Sequence, residues 1–371
     1  MSRSSFSFFL LLAAGIFLAG AVVSNTPVAA QEINPPPRIV TVDGVSLNAA
    51  FYPSPNPKKN SPAVILLHPI GENKSSKGAD WKRLAETLQK ANYSVITFDF
   101  RGHGDSTTFD PKLFYKKEHG LNNLVKVKAK ETIMLDDYIK NNQYLPALIN
   151  DIAAVKAYLE LRNDAGECNT ANTIVIGADT GATLGAIWIN SECYRYKFTP
   201  NPITPAVILK GGFSANSEAE NIVAAVFLTI QTKLGTRPVN ITKTLKVPSK
   251  DQGMAVTFVY GKEDTKGKPI AQNLESNLFV KNSKKHVFIG TYELNTALTG
   301  AKLLQPALKL DEAIVEYLDK VILNRGNEWG KRDSKENFHM WKLGNFGPFY
   351  PAHKKGLPNL HFDAYEKFIA Q

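Results

Sequence analysis

The stretch Thr173–Ile187 reads T-I-V-I-G-A-D-T-G-A-T-L-G-A-I. Its first four residues are apolar or β-branched and suit a strand buried on both faces. At Gly177 the run breaks. It restarts as small residues, Gly181, Ala182, Gly185 and Ala186, at a spacing that lets a helix pack close to a sheet. The segment is therefore a strand, a tight elbow and a helix. The elbow, Gly177-Ala178-Asp179-Thr180-Gly181, carries a carboxylate at its centre.

Outward from this unit the same alternation repeats. Arg38–Asp43 and Val45–Tyr52 flank Asp43-Gly44, a dipeptide suited to a hairpin turn, so two antiparallel strands open the domain. Ala63–Leu67 and Ser94–Phe98 are continuous apolar runs, as strands covered on both faces should be. Asp80–Ala91 has helical periodicity, and Pro146–Arg162 places Leu148, Ile152, Val155 and Leu159 on one helical face. Beyond the elbow, Ala206–Leu209 reads as a strand, Asn221–Lys233 as an apolar helix, Ala255–Tyr260 and Val287–Tyr292 as strands, and Pro306–Asn324 as the closing helix. Strands alternating with helices of these lengths define the α/β class: a mainly parallel sheet, helices on both faces, one domain.

The chain has 371 residues, of which 43% are hydrophobic and 21% charged, so a sizeable core is available. Residues 1–30 stand apart from it. Arg3 precedes the uncharged apolar stretch Phe6–Val23, and Thr26-Pro27-Val28-Ala29-Ala30 supplies small residues for a signal-peptidase cut after Ala30. The expectation is an exported protein, periplasmic or secreted. The competing reading is an uncleaved membrane anchor, because the stretch has just the minimum length for spanning a bilayer. Loss of Arg3 with the leader lowers the formal charge from +10 to +9. The lysines are scattered, as at Lys116-Lys117, Lys284-Lys285 and Lys354-Lys355, with no nucleic-acid-binding pattern. They describe a solvated basic surface without a nucleic-acid partner, for which weak adhesion to anionic lipid or envelope polymer is the alternative.

Four motifs fall at the ends of these strands: His68-Pro69-Ile70-Gly71, then D-F-R-G-H-G-D-S at Asp99–Ser106, then the elbow, then Gly261-Lys262-Glu263-Asp264. In this order they resemble the α/β-hydrolase family over roughly Arg38–Asn324. The second motif is most similar to the serine aminopeptidase and monoglyceride-lipase-like branch, with dienelactone-hydrolase-like proteins nearby. The resemblance implies a nucleophile at the elbow, then an acid, then a histidine.

Residue by residue, that machinery is incomplete. The elbow pattern G-x-S-x-G has Asp179 at the nucleophile position. Asp264 fits the acid, with Glu263 as the fallback, and a plain turn aspartate is the structural alternative. Where the family often has His-Gly before an apolar pair, Leu298–Leu304 has Thr299, which cannot act as a base near neutral pH. The oxyanion donors implied are the N–H groups of Ile70 and Thr180. His68 and His103 lie in loops over the active edge, where histidines of this family more often build the loops; His286, His339, His353 and His361 are remote.

Asp179 then has three readings. It is a carboxylate nucleophile, as in dehalogenase and epoxide-hydrolase branches, though without the histidine that activates water and with Thr180 where tryptophan is usual. Or it accepts the two oxyanion N–H groups at a helix N-terminus and closes the site, giving a degenerate hydrolase that binds a small molecule or polymer. Or it joins Asp264 as a metal ligand, for which partners are lacking; no metal and no cofactor are expected.

Cys168 and Cys193 flank the strand–elbow–helix unit and should reach the same rim of the sheet, making them disulfide candidates in an exported chain. The domain is expected to span 31–326. Within it, 107–144 is a polar insertion, a cap or a surface excursion. Residues 327–371, with Trp329, Phe338, Trp341, Phe346 and Phe349, are too aromatic for a disordered tail. They read as a strap packed on the domain, or else as a docking segment.

Overall fold

The computed structural model describes residues 32, 38–56, 60–71, 74–115, 132–134, 142–198, 213–279, 288–333, 338–341 and 350–352. The leader lies outside them, and among the described residues no helix is long and apolar enough to cross a membrane. The chain begins with the hairpin of β1 (Arg38–Val40) and β2 (Val45–Tyr52). Gly44 turns it at a φ of +86°, in the left-handed region that glycine enters without a Cβ clash. Strands β3 (Pro62–Leu67), β4 (Ser94–Phe98), β5 (Thr108–Phe109) and β6 (Asn169–Ala178) follow. Further along come β7 (Arg195–Phe198), β8 (Phe213–Ser217), β9 (Ile222–Leu228), a small hairpin of β10 (Lys233–Leu234) and β11 (Arg237–Pro238), β12 (Ala255–Gly261) and β13 (Ile289–Leu294).

The main sheet has the order β1-β2-β4-β3-β6-β9-β12-β13, with β5 beside β2. The pairs that involve β2 are antiparallel, and from β4 to β13 the sheet is parallel. Side-chain alternation fills both faces. Ala63, Ile65 and Leu67 of β3 enter one core with α3 (Ile149–Asp164) and α4 (Asp179–Glu192), while Val64 and Leu66 enter the other with α1 (Ala79–Lys90) and α7 (Leu310–Arg325). Between them in sequence, α2 (Pro111–Phe114) is one turn, and α5 (Ile241–Lys246) and α6 (Gly267–Leu278) pack on the α3 and α4 side. This is the α/β-hydrolase architecture: a mostly parallel sheet covered on both faces and opened by antiparallel strands.

One expected element is corrected. The apolar helix read at Asn221–Lys233 is strand β9, I-V-A-A-V-F-L, buried along its whole length between β6 and β12. A short apolar run covered on both faces has no periodicity to separate strand from helix; its two valines and one isoleucine were the usable signal. The strand read at Ala206–Leu209 lies outside the described residues. Of the 107–144 insertion, β5 and α2 are seen to pack, with the Phe109 and Phe114 rings 4.2 Å apart beside β2.

The disulfide candidates are also corrected. Cys168 and Cys193 are free and buried, the first thiol toward the Leu159 carbonyl at 3.6 Å, the second toward the Ile189 carbonyl at 3.7 Å. Each sulfur turns to its own neighbouring helix, and burial pushes the Cys168 thiol up to about 12.

Beyond Gly326 the chain crosses the domain. The Asn327 N–H donates to Asn172 Oδ1 at 2.6 Å, and its carbonyl accepts from Asn169 and Asn172. Farther on, β14 (Phe338–Trp341) pairs with β7 and with β15 (Tyr350–Ala352), and a separate antiparallel sheet runs β15-β14-β7-β8.

Candidate functional site

The elbow is tight because glycine permits it. A Cβ on Gly177 would lie 2.8 Å from Ala182 Cα, and one on Gly181 would collide with the His68 carbonyl oxygen. Helix α4 therefore starts directly over the ends of β3 and β6, and Asp179 is held between strand and helix at a φ of +50°. For a residue with a Cβ this conformation is strained by about 1–3 kcal/mol, a cost the surrounding packing must offset.

The Asp179 carboxyl turns toward the loop after β13. Gln231 Nε2 donates to it at 3.5 Å. Gly300 sits against it, since a Cβ there would collide with Oδ2. Gly300 is fixed in turn, with φ at +56° and its N–H donated to Thr229 Oγ1 at 3.0 Å. Burial raises the Asp179 pKa, while Gln231, the Lys74 charge and the Ala301 N–H oppose that rise.

This differs from the expectation that Asp179 would take the two oxyanion N–H groups. The Ile70 N–H goes instead to the Thr180 hydroxyl, at 2.7 Å. Thr180 thus fills one implied oxyanion position with its own side chain. The reason is proximity: its short hydroxyl, one residue into α4, reaches Ile70 across the elbow, while the Asp179 carboxyl lies against Gly300 and Gln231.

His68 and His103 are buried, and each has both ring nitrogens engaged by backbone. Nδ1 of His68 donates to the Pro69 carbonyl at 2.7 Å, and Nε2 accepts the Phe100 N–H at 3.0 Å. In His103, Nδ1 donates to the Arg101 carbonyl and Nε2 accepts the Gly71 N–H at 3.2 Å. Burial first, and then the neighbouring His103, hold the His68 pKa down to about 4. His339 lies in β14 of the separate sheet, and His286, His353 and His361 fall outside the described residues. Among the described residues no histidine hydrogen-bonds to Asp179.

Asp264 follows β12 and caps the start of α6. Its Oδ1 accepts the Gly267 N–H at 2.7 Å and the Lys266 N–H at 3.1 Å. Its Oδ2 is buried with no hydrogen-bond partner. An orphaned buried oxygen of this kind costs about 1–3 kcal/mol. Glu263 is exposed beside it. Among the described residues no group of three His, Cys, Asp or Glu side chains could hold a metal ion.

Two further residues of the D-F-R-G-H-G-D-S motif are structural. Asp99 accepts from Ser75, from the N–H and hydroxyl of Ser76 and from the Asp105 N–H, and so ties down the loop ahead of α1. Arg101, fully buried, bridges Asp43 of the first turn at 2.6 Å and Asp151 of α3 at 2.7 Å.

Asp179 and Thr299 line a cavity of about 330 Å³, together with Pro69, Lys74, Ser75, the start of α1, Ala301 and Lys302. Lys74, Lys302, Gln231 and Thr229 were not singled out from sequence. The two lysines look like any surface lysine, and the last two fall in the segment read as helix. A second, apolar cavity of about 260 Å³ lies between β13 and α7, away from the elbow.

No family model matches the chain, and no curated protein matches it. Solved structures do. An esterase from Pyrococcus furiosus is 18% identical, over 78% of this chain and 90% of its own, with a TM-score of 0.46. A dienelactone hydrolase from Anabaena variabilis is 12% identical, over 80% and 99%, with a TM-score of 0.46. A putative α/β-hydrolase of unknown function from Agrobacterium tumefaciens is 14% identical, over 79% and 97%, with a TM-score of 0.47.

Proposed function

We propose that this chain is an exported α/β-hydrolase-fold protein that has lost hydrolysis and retains its elbow cavity as a binding site. One observation carries the reading. Gln231 Nε2 donates to Asp179 at 3.5 Å, Asp264 keeps a buried, unpartnered Oδ2, and among the described residues no histidine hydrogen-bonds to either acid. A working acyl-transfer site requires an imidazole bonded to both nucleophile and acid. Thr299 occupies the loop from which such an imidazole would come, and the Thr180 hydroxyl takes up the Ile70 N–H that an oxyanion would need. The apolar leader supports export.

The test is an assay of the purified chain with short acyl esters, aminoacyl arylamides, haloalkanes and epoxides. No turnover is expected. Turnover abolished by Asp179→Asn would overturn the reading and establish Asp179 as the nucleophile. A rebuilt site gives the converse measurement. Asp179→Ser with Thr299→His is expected to show weak esterase activity, and adding Thr180→Ala should free the Ile70 N–H. One oxyanion donor is worth roughly 10²–10³ in kcat, so a gain of at least about tenfold from the third substitution is expected.

A further inference from the structure

We infer that the elbow cavity receives a small organic oxyanion, a carboxylate or phosphate monoester that also bears a hydroxyl, with its charge between Lys74 and Lys302 and its hydroxyl against Asp179. The inference rests on the non-hydrolytic reading and names the ligand class of that same cavity.

Charge bookkeeping around the cavity gives the sign. Lys74 and Lys302 both line the cavity, and neither makes an ion pair with a described residue. Of the acids that line it, Asp80 is engaged by Arg83 at 3.1 Å. Asp179 is half-buried, burial raising its pKa, and its carboxyl oxygens can hydrogen-bond a ligand hydroxyl. Asp99, behind Ser75, is an ionised carboxylate, but its charge is spread over the Ser75, Ser76 and Asp105 donors described above. Asp105 is paired with Lys77 at the surface. Among the described residues the cavity is thus lined by two lysines outside any ion pair and by one carboxylate, Asp179, outside any ion pair, a lining with a net positive charge. The first turn of α1, with Ala79, Asp80 and Trp81 on the cavity wall, adds backbone donors to a field the lysines already set.

Size narrows the class. At about 330 Å³ the cavity is at the low end of small-molecule sites, which run from about 300 to 1,000 Å³. A metabolite of a few carbons fits there; a fatty acyl chain or a polymer repeat does not.

Trp81 lines the cavity and reports on it. Tryptophan fluorescence and calorimetry of the full mature chain should be followed during titration with malate, with glycerol 3-phosphate, and with glycerol as the uncharged control. Binding of at least one anion, at least tenfold tighter than glycerol and weakened by added salt, is expected; which of the two anions binds tighter identifies the oxyanion. Lys74→Ala combined with Lys302→Ala should weaken it at least tenfold, and Lys320→Ala, on the far side of α7, should leave it unchanged. Equal affinity for glycerol, absence of anion binding at millimolar concentration, or an affinity unchanged in the double variant would each overturn the inference. Ester turnover, measured on the same sample, would instead overturn the non-hydrolytic reading, so the two failures are separable.

Discussion

Both ring nitrogens of His68 are committed to backbone atoms, one as donor to Pro69 and one as acceptor from Phe100, and this pattern holds only for the neutral ring. Protonation would set a second N–H against the Phe100 N–H. With the folded-state pKa held down to about 4, below the 6.5 of an exposed imidazole, the unfolded chain takes up the proton first. The stabilisation is complete above pH 6.5 and is lost as the pH falls toward about 4, a change of about 3 kcal/mol. His103 is shifted in the same direction by burial and adds to the effect. Urea unfolding at pH 7 and pH 4.5 should show that loss, and the His68 ring signals in NMR should not titrate above pH 5. A ring that titrates near 6.5 would show it to be accessible and available as a base. The sequence already placed His68 and His103 in loops over the sheet edge, but it could not say which of their nitrogens were engaged. That depends on carbonyl and amide groups brought together from β3, β4 and the loops after them.

At the scale of elements, strand β6, the elbow and helix α4 form one unit, laid close against β3, whose spacing is set by missing side chains. The two elbow glycines were legible because no other residue allows so close a crossing. Gly181→Ala tests this directly. The new Cβ would collide with the His68 carbonyl oxygen and lie 2.7 Å from that of Leu67, and neither is a side chain that can rotate away. Helix α4 would have to lift off β3 and separate buried side chains on both. A loss of at least about 3 kcal/mol is expected, comparable to overpacking at the severe end of core substitutions. Thermal unfolding of the variant would measure it, and a melting temperature within a degree or two of the parent would refute the tight crossing. Where packing is symmetrical the sequence was silent instead. Strand β9 is covered on both faces, so its seven apolar residues carry neither a period of two nor one of 3.6, and nothing in them separates strand from helix. With it went Thr229 and Gln231, which stand just past the strand and hold Gly300 and Asp179.

For the whole molecule, the far rim of the sheet holds a buried charged network that the motif-bearing edge gave no reason to expect. Lys156 and Glu160 of α3 pair at 3.0 Å, and Arg195 bridges Glu192 at 2.5 Å and Glu160 at 3.6 Å. Arg332, from the chain beyond the closing helix, completes it by pairing with Glu218, while its N–H donates to Asp164 at 2.6 Å. The residues between run along the same rim: Trp329 Nε1 donates to the Asn163 carbonyl at 3.2 Å, and the Gly330 carbonyl accepts from Asn163 at 2.9 Å. The aromatic content of this extension was plain in the sequence, but its anchors are polar groups separated from their partners by more than a hundred residues, beyond the reach of any local pattern. Because Glu218 is buried, removing its nearest cation leaves the Arg195 charge at 3.9 Å, beside the Asn221 amide that donates at 3.3 Å. Arg332→Ala should therefore cost about 2 kcal/mol, the range for a hydrogen bond to a charged group, and Arg332→Lys should recover part of it. The loss should be local as well as global: limited proteolysis should cut between Gly326 and Asp333 faster in Arg332→Ala than in the parent, while Trp81 fluorescence at the opposite edge stays unchanged. Unaltered cleavage and stability would mean that the extension rests on the domain without holding it, and that the rim network closes without Arg332.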